Sequence, residues 1–254
     1  PASVTAIGST AFRETSLTEV TFAEGCQLLS IGGSAFWGTS TLTSFTIPDT
    51  VNSIGNNAFQ GTGITTITFP LGVTTIGTYM FQDCVNLESV TFLGNITSVG
   101  NYAFYNCSSL RSISLPAVTS IGGYAFYGCS SLSEIVLGDQ LTSMVSNAYH
   151  SQLGNGGYAF YGCTSLTTIY LSAALSAIPT GTFYGCENLE SVVIPDSVTS
   201  IGQYAFYGCA GLTEINIPSA VTTIGTGAFG ACLGLETFNV YSGGYFVSDG
   251  VLYD

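Results

Sequence analysis

The sequence predicts an α/β repeat protein, a single right-handed solenoid of about ten coils of 22–24 residues. A phrase of twelve residues, Ile121-Gly-Gly-Tyr-Ala-Phe-Tyr-Gly-Cys-Ser-Ser-Leu132, returns almost unchanged at 201–212. Related phrases recur at intervals of 22 to 24 residues, apart from one interval of 34. Such a period is typical of stacked coils. The ten copies, numbered here as coils one to ten, begin at Ile7, Ile31, Ile54, Ile76, Val99, Ile121, Met144, Ile178, Ile201 and Ile224.

Alternation of apolar and polar residues predicts one short strand in each coil. In coil six, Ile135 and Leu137 face inward while Glu134 and Val136 face outward, as the period of two in a strand requires. Proline follows several of these segments, where it ends strand pairing because it lacks an N–H. We therefore expect a parallel sheet on one side of the solenoid. Its strands should begin near Val20, Phe45, Ile67, Val90, Ile113, Ile135, Ile169, Val192, Ile215 and Phe238.

The opposite side of each coil is predicted to contain a short helical turn. Ala125, Cys129 and Leu132 are spaced as i, i+4 and i+7, which places them on one face of a helix. Tyrosines recur in the same segment, and they either stack on a sugar or a second solenoid or, as we favour, shield the coil beneath.

Composition excludes two classes of partner. The chain has two basic residues, Arg13 and Arg111, against fifteen acidic ones, and its net charge is -13. Nucleic acids and anionic lipids are held by clusters of Lys and Arg, so nucleic-acid binding is not expected. No apolar run reaches the roughly 20 residues of a membrane-spanning helix, so membrane insertion is not expected either.

Seven cysteines occupy one position of the repeat and form a predicted cysteine ladder. Stacked side chains point in parallel rather than toward each other, which favours buried free thiols over disulfides. The sequence contains no C-x-x-C metal motif, so we predict no disulfide, metal or cofactor. The ladder consists of Cys84, Cys107, Cys129, Cys163, Cys186, Cys209 and Cys232, whereas Cys26 lies outside it.

The repeat resembles the BspA-like class of leucine-rich repeats. The pattern that carries this resemblance is I-G-x-x-A-F-x-x-C-x-x-L-x-x-I-x-I-P-x-x-V-T, and it covers essentially the whole chain. The resemblance implies a leucine-rich-repeat solenoid from a family of mostly surface-exposed or secreted adhesion and interaction proteins. It leaves the ligand open, because function depends on the exposed positions rather than on the scaffold.

The domain organisation follows from the same pattern. Residues 1–240 are predicted to form the solenoid, with an 11-residue insertion within 144–157. Residues 241–254 leave the repeat and carry a hairpin signal, so they either cap the last coil or begin a continuation that is missing here. Because Pro1 falls inside a repeat, we expect a mature or excised fragment. Two sequons, at Asn95 and Asn106, are candidates for N-glycosylation.

The outward residues of the predicted strands form two hydroxyl-rich rows, called here the face rows. No acid/base pair, nucleophile set or phosphate-binding loop is present, so we predict no catalytic residue and no enzyme activity. Two functions remain: an extracellular or cell-surface module that binds protein or glycan, and a structural subunit that stacks on copies of itself into a fibre or surface layer. The candidate binding residues are Thr21, Thr46, Thr68, Thr91, Ser114, Tyr170, Asn216, Asn239, Ser44, Thr66, Ser89 and Thr168.

Overall fold

The computed structural model describes residues 3–144, 148–150, 154–240, 246–248 and 251–253. Ten successive coils form a β-solenoid with two sets of parallel strands. The longer strands, called face strands, contain the face rows from coil three onward and include in-register pairs such as Thr66 with Ser89 and Thr168 with Ser191. The face strands are Thr66–Phe69, Ser89–Phe92, Ser112–Leu115, Glu134–Leu137, Thr168–Tyr170, Ser191–Val193, Glu214–Ile217 and Thr237–Val240.

A second parallel ladder, which was not predicted from the sequence, forms from the residue pairs, such as Ser120-Ile121, at which the coils begin. Its members are two-residue corner strands in which the first residue is partly or fully exposed and the second is at least half-buried. They pair as Ser120 with Ser98 and Ile121 with Val99. The corner strands are Ala6–Ile7, Ser30–Ile31, Ser53–Ile54, Thr75–Ile76, Ser98–Val99, Ser120–Ile121, Ser143–Met144, Ala177–Ile178, Ser200–Ile201 and Thr223–Ile224.

Eight of the ten predicted face strands form, and the two predicted near Val20 and Phe45 do not. Residues 18–22 and 43–47 keep the strand alternation, since Phe45 is buried while Thr46 is exposed. In this part of the described chain, however, no backbone hydrogen bond joins residues 18–22 to residues 44–47. The prediction was wrong here because alternation reports which side is buried and does not report whether neighbouring coils approach closely enough to pair.

The predicted helical turns are also wrong: the described residues contain no helix. Tyr124 and Gly128, four residues apart, both adopt the left-handed conformation, with φ of 59° and 70°. A right-handed helix cannot contain such residues. All ten coils repeat this pair, with left-handed residues at Thr10, Ser34, Asn57, Tyr79, Tyr102, Tyr124, Tyr158, Gly181, Tyr204 and Gly227, and again at Glu14, Gly38, Gly61, Asp83, Asn106, Gly128, Gly162, Gly185, Gly208 and Ala231.

The left-handed residues let backbone amides alternate between two kinds of partner. The Phe126 amide donates to the Ala159 carbonyl of the next coil at 2.8 Å, whereas the Tyr127 amide donates to the Tyr124 carbonyl of its own turn at 3.2 Å. The turn side therefore has a coil-to-coil hydrogen-bond ladder of its own. This ladder satisfies backbone groups that would otherwise be buried without partners.

The core is a continuous column of inward side chains shared by all coils. Phenylalanine rings stack along it, with Phe126 and Phe160 at 5.3 Å between ring centroids and an interplanar angle of 2°. Leucine and isoleucine from the strands pack beside them; Leu132 and Ile121 are fully buried. Because each coil completes the core of its neighbours, the solenoid has no internal domain boundary within the described coils.

Two antiparallel pairs interrupt or follow the coils. Ala148–His150 pairs with Gly154–Gly156 inside the insertion, and Phe246–Ser248 pairs with Val251–Tyr253 after the last coil. The rest of the insertion and of the C-terminal segment lies outside the described residues. The assignment of 241–254 as a cap or as the start of a continuation therefore stays a prediction.

Candidate binding face

The face rows lie on a sheet whose other side is anchored in the core. Between outward Thr66 and Thr68, Ile67 is 3% exposed, so the backbone that carries the hydroxyls is held by buried neighbours. In-register pairing places Thr68 beside Thr91, at the strand spacing of about 4.8 Å. Of the twelve predicted binding residues, ten are exposed, and Ser89 and Asn239 are half-buried. The structure brings these residues together on one face.

Three apolar residues interrupt one of the two face rows, and two of them were not among the predicted binding residues. This row consists of Thr21, Thr46, Thr68, Thr91, Ser114, Val136, Tyr170, Val193, Asn216 and Asn239. Val136, Tyr170 and Val193 belong to coils six, seven and eight and are 43%, 75% and 67% exposed. Tyr170 is the register partner of Val193, and the strand of coil six lies beside that of coil seven. They were detectable as the only apolar residues of their row, which carries Thr, Ser or Asn in every other coil.

The first three coils contain two clefts, beside the segments of coils one and two that do not form face strands. The larger, about 510 Å³, lies between coils one and two and is lined by Thr21, Ser44 and Thr46, with Gly25 and Cys26 of the long first corner. The smaller, about 260 Å³, continues between coils two and three beside Thr66 and Thr68. Predicted hydroxyl residues therefore line both clefts.

The turn side carries a two-column tyrosine stack. In the first column Tyr102 and Tyr124 are stacked with centroids 4.9 Å apart, and in the second Tyr127 and Tyr161 are 4.4 Å apart. Tyr124 is fully buried. Burial raises the pKa of Tyr102 and of Tyr127 to about 12. The stack consists of Tyr79, Tyr102, Tyr124 and Tyr158 in one column and Tyr105, Tyr127, Tyr161, Tyr184 and Tyr207 in the other. Tyr204 contacts the second column edge-on, at Tyr184 and Tyr207.

In coils eight and ten, where the first column has glycine in place of tyrosine, the glycine lies beneath the ring of the preceding coil. A Cβ on Gly181 would lie 2.1 Å from Cε1 of Tyr158, and Gly227 has the same relation to Tyr204 at 2.6 Å. The tyrosines thus shield the coils against which they pack, which is the interpretation favoured from the sequence. Three of the first-column rings, those of Tyr102, Tyr124 and Tyr158, are at most 8% exposed, which leaves them little surface for a partner.

Each thiol of the cysteine ladder donates a hydrogen bond to the preceding coil. The Cys129 Sγ donates to the Phe104 carbonyl at 3.1 Å, and the Cys84 Sγ to the Phe59 carbonyl at 3.0 Å. Burial raises the pKa of Cys84 from 9.0 to about 11 and acts in the same direction along the whole ladder. All eight cysteines are free thiols. No group of three or more His, Cys, Asp or Glu side chains could hold a metal ion in the described part of the chain.

The two sequons differ in their surroundings. Asn95 is exposed on a corner. Asn106 is half-buried in a left-handed conformation, its Nδ2 donates to Asp83 Oδ1 at 3.0 Å, and Cys107 beside it is fully buried. The side-chain nitrogen of Asn106, to which a glycan would be attached, is therefore already hydrogen-bonded. This favours Asn95 as the site of any glycan.

Comparison of the sequence with known families gives one family across the whole chain. The family described as the BspA type leucine rich repeat region matches in 6 copies, over residues 1–107, 29–154 and 156–254. A search of curated proteins finds no match. No helix in the described residues is long and apolar enough to cross a membrane.

Solved structures of bacterial proteins share the fold. A leucine-rich cell surface protein from Faecalibacterium prausnitzii is 29% identical with a TM-score of 0.53, and the alignment covers 96% of this chain and 78% of that protein. A leucine-rich repeat protein from Bacteroides ovatus is 27% identical with a TM-score of 0.52, covering 93% and 76%. The pneumococcal vaccine antigen PcpA, at 21% identity and a TM-score of 0.55 over 94% of this chain and 60% of that one, supports the fold alone.

Proposed function

Because the chain belongs to the BspA-type leucine-rich repeat family, we propose that it is a non-enzymatic, extracellular or cell-surface module that binds protein or glycan through its face rows. The similarity to a leucine-rich cell surface protein supports the location. The observation that carries the proposal is the exposure of hydroxyls at the same place in successive coils, from Thr21 through Thr46, Thr68 and Thr91 to Ser114, with Thr68 and Thr91 paired in register.

The physics of this face suits recognition. Short hydroxyl side chains lose little rotamer freedom when they bind, and the core-anchored backbone is already ordered, so the entropic cost of each contact is small. Each contact is also weak, because a hydrogen bond to a partner replaces one to water. Useful affinity therefore requires many coils or many copies to act together.

The test replaces hydroxyls on the face and, as a control, hydroxyls elsewhere. Thr46, Thr68 and Thr91 are changed together to Lys, and a control variant changes exposed Ser53, Thr75 and Thr223 of the corner strands to Lys. Both variants gain the same charge. Labelled proteins are applied to arrays of extracellular-matrix proteins and glycans.

The face variant should lose binding that the control variant keeps. Equal loss in both variants would reject the face, and absence of binding by the unmodified protein across the arrays would count against a recognition module. In that case negative-stain images of filaments would favour the structural-subunit alternative.

A further inference from the structure

Three apolar residues lie together on the sheet that carries the face rows, and the charge of their surroundings indicates which kind of partner binds there. Val136, Tyr170 and Val193, called here the apolar patch, are neighbours on three successive face strands. Tyr170 is the most exposed aromatic side chain among the described large hydrophobic residues, at 75%. Single exposed apolar residues are ordinary, but a contiguous group on a rigid sheet marks a surface for a partner.

The rim of the apolar patch is acidic and contains no basic residue. Glu134 lies two residues before Val136 on the face strand of coil six, Glu214 lies on the face strand of coil nine, and Glu190 precedes the strand that contains Val193. All three are exposed. The Glu214 carboxylate is oriented by Asn239, whose Nδ2 donates to Oε1 at 3.0 Å. No Lys or Arg occurs after Arg111, and the Arg111 side chain, in the coil next to Glu134, pairs with Glu88, where its Nη2 lies 3.5 Å from Oε2.

Elsewhere in the chain, an aromatic ring and a carboxylate together bind an arginine side chain. The Arg13 guanidinium lies 3.7 Å from the centroid of the Trp37 ring, and its Nη2 is 3.3 Å from Oε1 of Glu14. A planar cation gains from both the ring face and the carboxylate. At the apolar patch the ring and the carboxylates are present, and the cation is not.

We propose that the apolar patch and its acidic rim bind a cationic polypeptide segment in which Arg or Lys alternates with apolar residues. Apolar side chains of the partner would cover Val136 and Val193, and a guanidinium would lie over Tyr170 toward the glutamates. A second copy of this chain does not fit, because its two basic residues already pair with Glu14 and Glu88 and it would bring like charge to the rim. This inference rests on the proposed function and names the partner class for one part of the same face.

The test uses a short fluorescent peptide in which arginine alternates with valine and serine, and a matched peptide with glutamate in place of arginine. Tyr170→Ser and Val193→Thr install residues of the kind that the same row carries in other coils, so the fold is preserved. Together they should weaken binding about tenfold, because hot spots centre on buried aromatic anchors. Glu134→Gln with Glu214→Gln should weaken it several-fold and reduce its salt dependence.

Control substitutions separate a built site from general attraction to a chain of net charge -13. Glu24→Gln with Asp49→Asn makes the same charge change at exposed sites in coils one and two, away from the coils that contain the apolar patch, and should leave affinity unchanged. Equal weakening by the control pair, equal binding of the glutamate peptide, or no binding of the arginine peptide would each overturn the proposal. So would a neutral glycan that binds through Tyr170.

This experiment and the one for the proposed function fail independently. Thr46, Thr68 and Thr91 lie in coils two to four, whereas the apolar patch lies in coils six to eight. If the peptide experiment contradicts the proposed patch while the threonine variant loses its binding, the face rows remain the proposed binding site and only the cationic partner is rejected.

Discussion

Replacing Gly181 with alanine tests whether a tyrosine ring covers the gap in the tyrosine stack. Gly181 has φ of +64°, and an added Cβ would lie 2.1 Å from Cε1 and 2.2 Å from Cδ1 of Tyr158. The Tyr158 ring cannot easily move aside, because it is 6% exposed and stacks on the ring of Tyr124 with centroids 5.3 Å apart. Alanine at Gly181 therefore meets both backbone strain and steric overlap.

The substitution Gly162→Ala measures the cost of backbone strain without steric overlap. Gly162 has φ of +67°, and a Cβ there would meet nothing within 4 Å. Gly162→Ala should lower the free energy of unfolding only by the strain of a left-handed alanine, about 1–2 kcal/mol. Gly181→Ala adds overpacking of about 1–3 kcal/mol, for a total of roughly 3 kcal/mol.

The assay is urea unfolding followed by circular dichroism, with both variants compared in one buffer. Tyr158→Ser supplies the matched background, since Ser34 holds this position in coil two with φ of 54°. In that background the cost of Gly181→Ala should fall to that of Gly162→Ala. Equal costs for the two alanine variants in the unmodified protein would show that the Tyr158 ring does not cover Gly181, and the reasoning would be refuted.

Two further predictions concern the thiols. Titration with an aromatic disulfide under native conditions should modify half-buried Cys26 readily and the six buried ladder thiols, from Cys84 to Cys209, only after denaturant is added, because the reactive thiolate is disfavoured by burial. Full reaction without denaturant would contradict this. Stability should also fall with rising pH between 9 and about 11, the ordinary pKa of a thiol and the raised pKa of Cys84. The unfolded chain loses these protons first, at up to about 1.4 kcal/mol per pH unit for each thiol. Urea midpoints that stay constant across this interval would show that the thiols are not buried.

Much of the solenoid could be predicted because each coil repeats the same physical requirement. Ile135, Leu132 and Cys129 recur at fixed places, and a side chain that every coil must bury identifies the core. The twelve face-row residues followed from the same alternation, since a residue one position from Ile135 along a strand must face the other way.

The turn side was misread because spacing alone cannot distinguish a helix from two consecutive tight turns. Ala125, Cys129 and Leu132 all face inward in either arrangement. Gly128 was a visible sign of positive φ, but Tyr124 was not, because a bulky residue seldom adopts that conformation. The strain of Tyr124 is offset by ring stacking and coil-to-coil hydrogen bonds that exist only after the coils have assembled.

The hydrogen-bond ladder on the turn side has a consequence for how such a protein changes length over evolution. On the turn side, each coil presents the same donors and acceptors to the next coil. This holds even at coil seven, whose start lies 34 residues before that of coil eight: the Cys163 Sγ still donates to the Phe126 carbonyl, and the Phe126 amide still donates to the Ala159 carbonyl. A gene that gains or loses one repeat therefore creates junctions identical to those already present. Recombination between repeats can lengthen or shorten the protein, or carry a decorated coil to a new place, with no compensating change in the coils on either side.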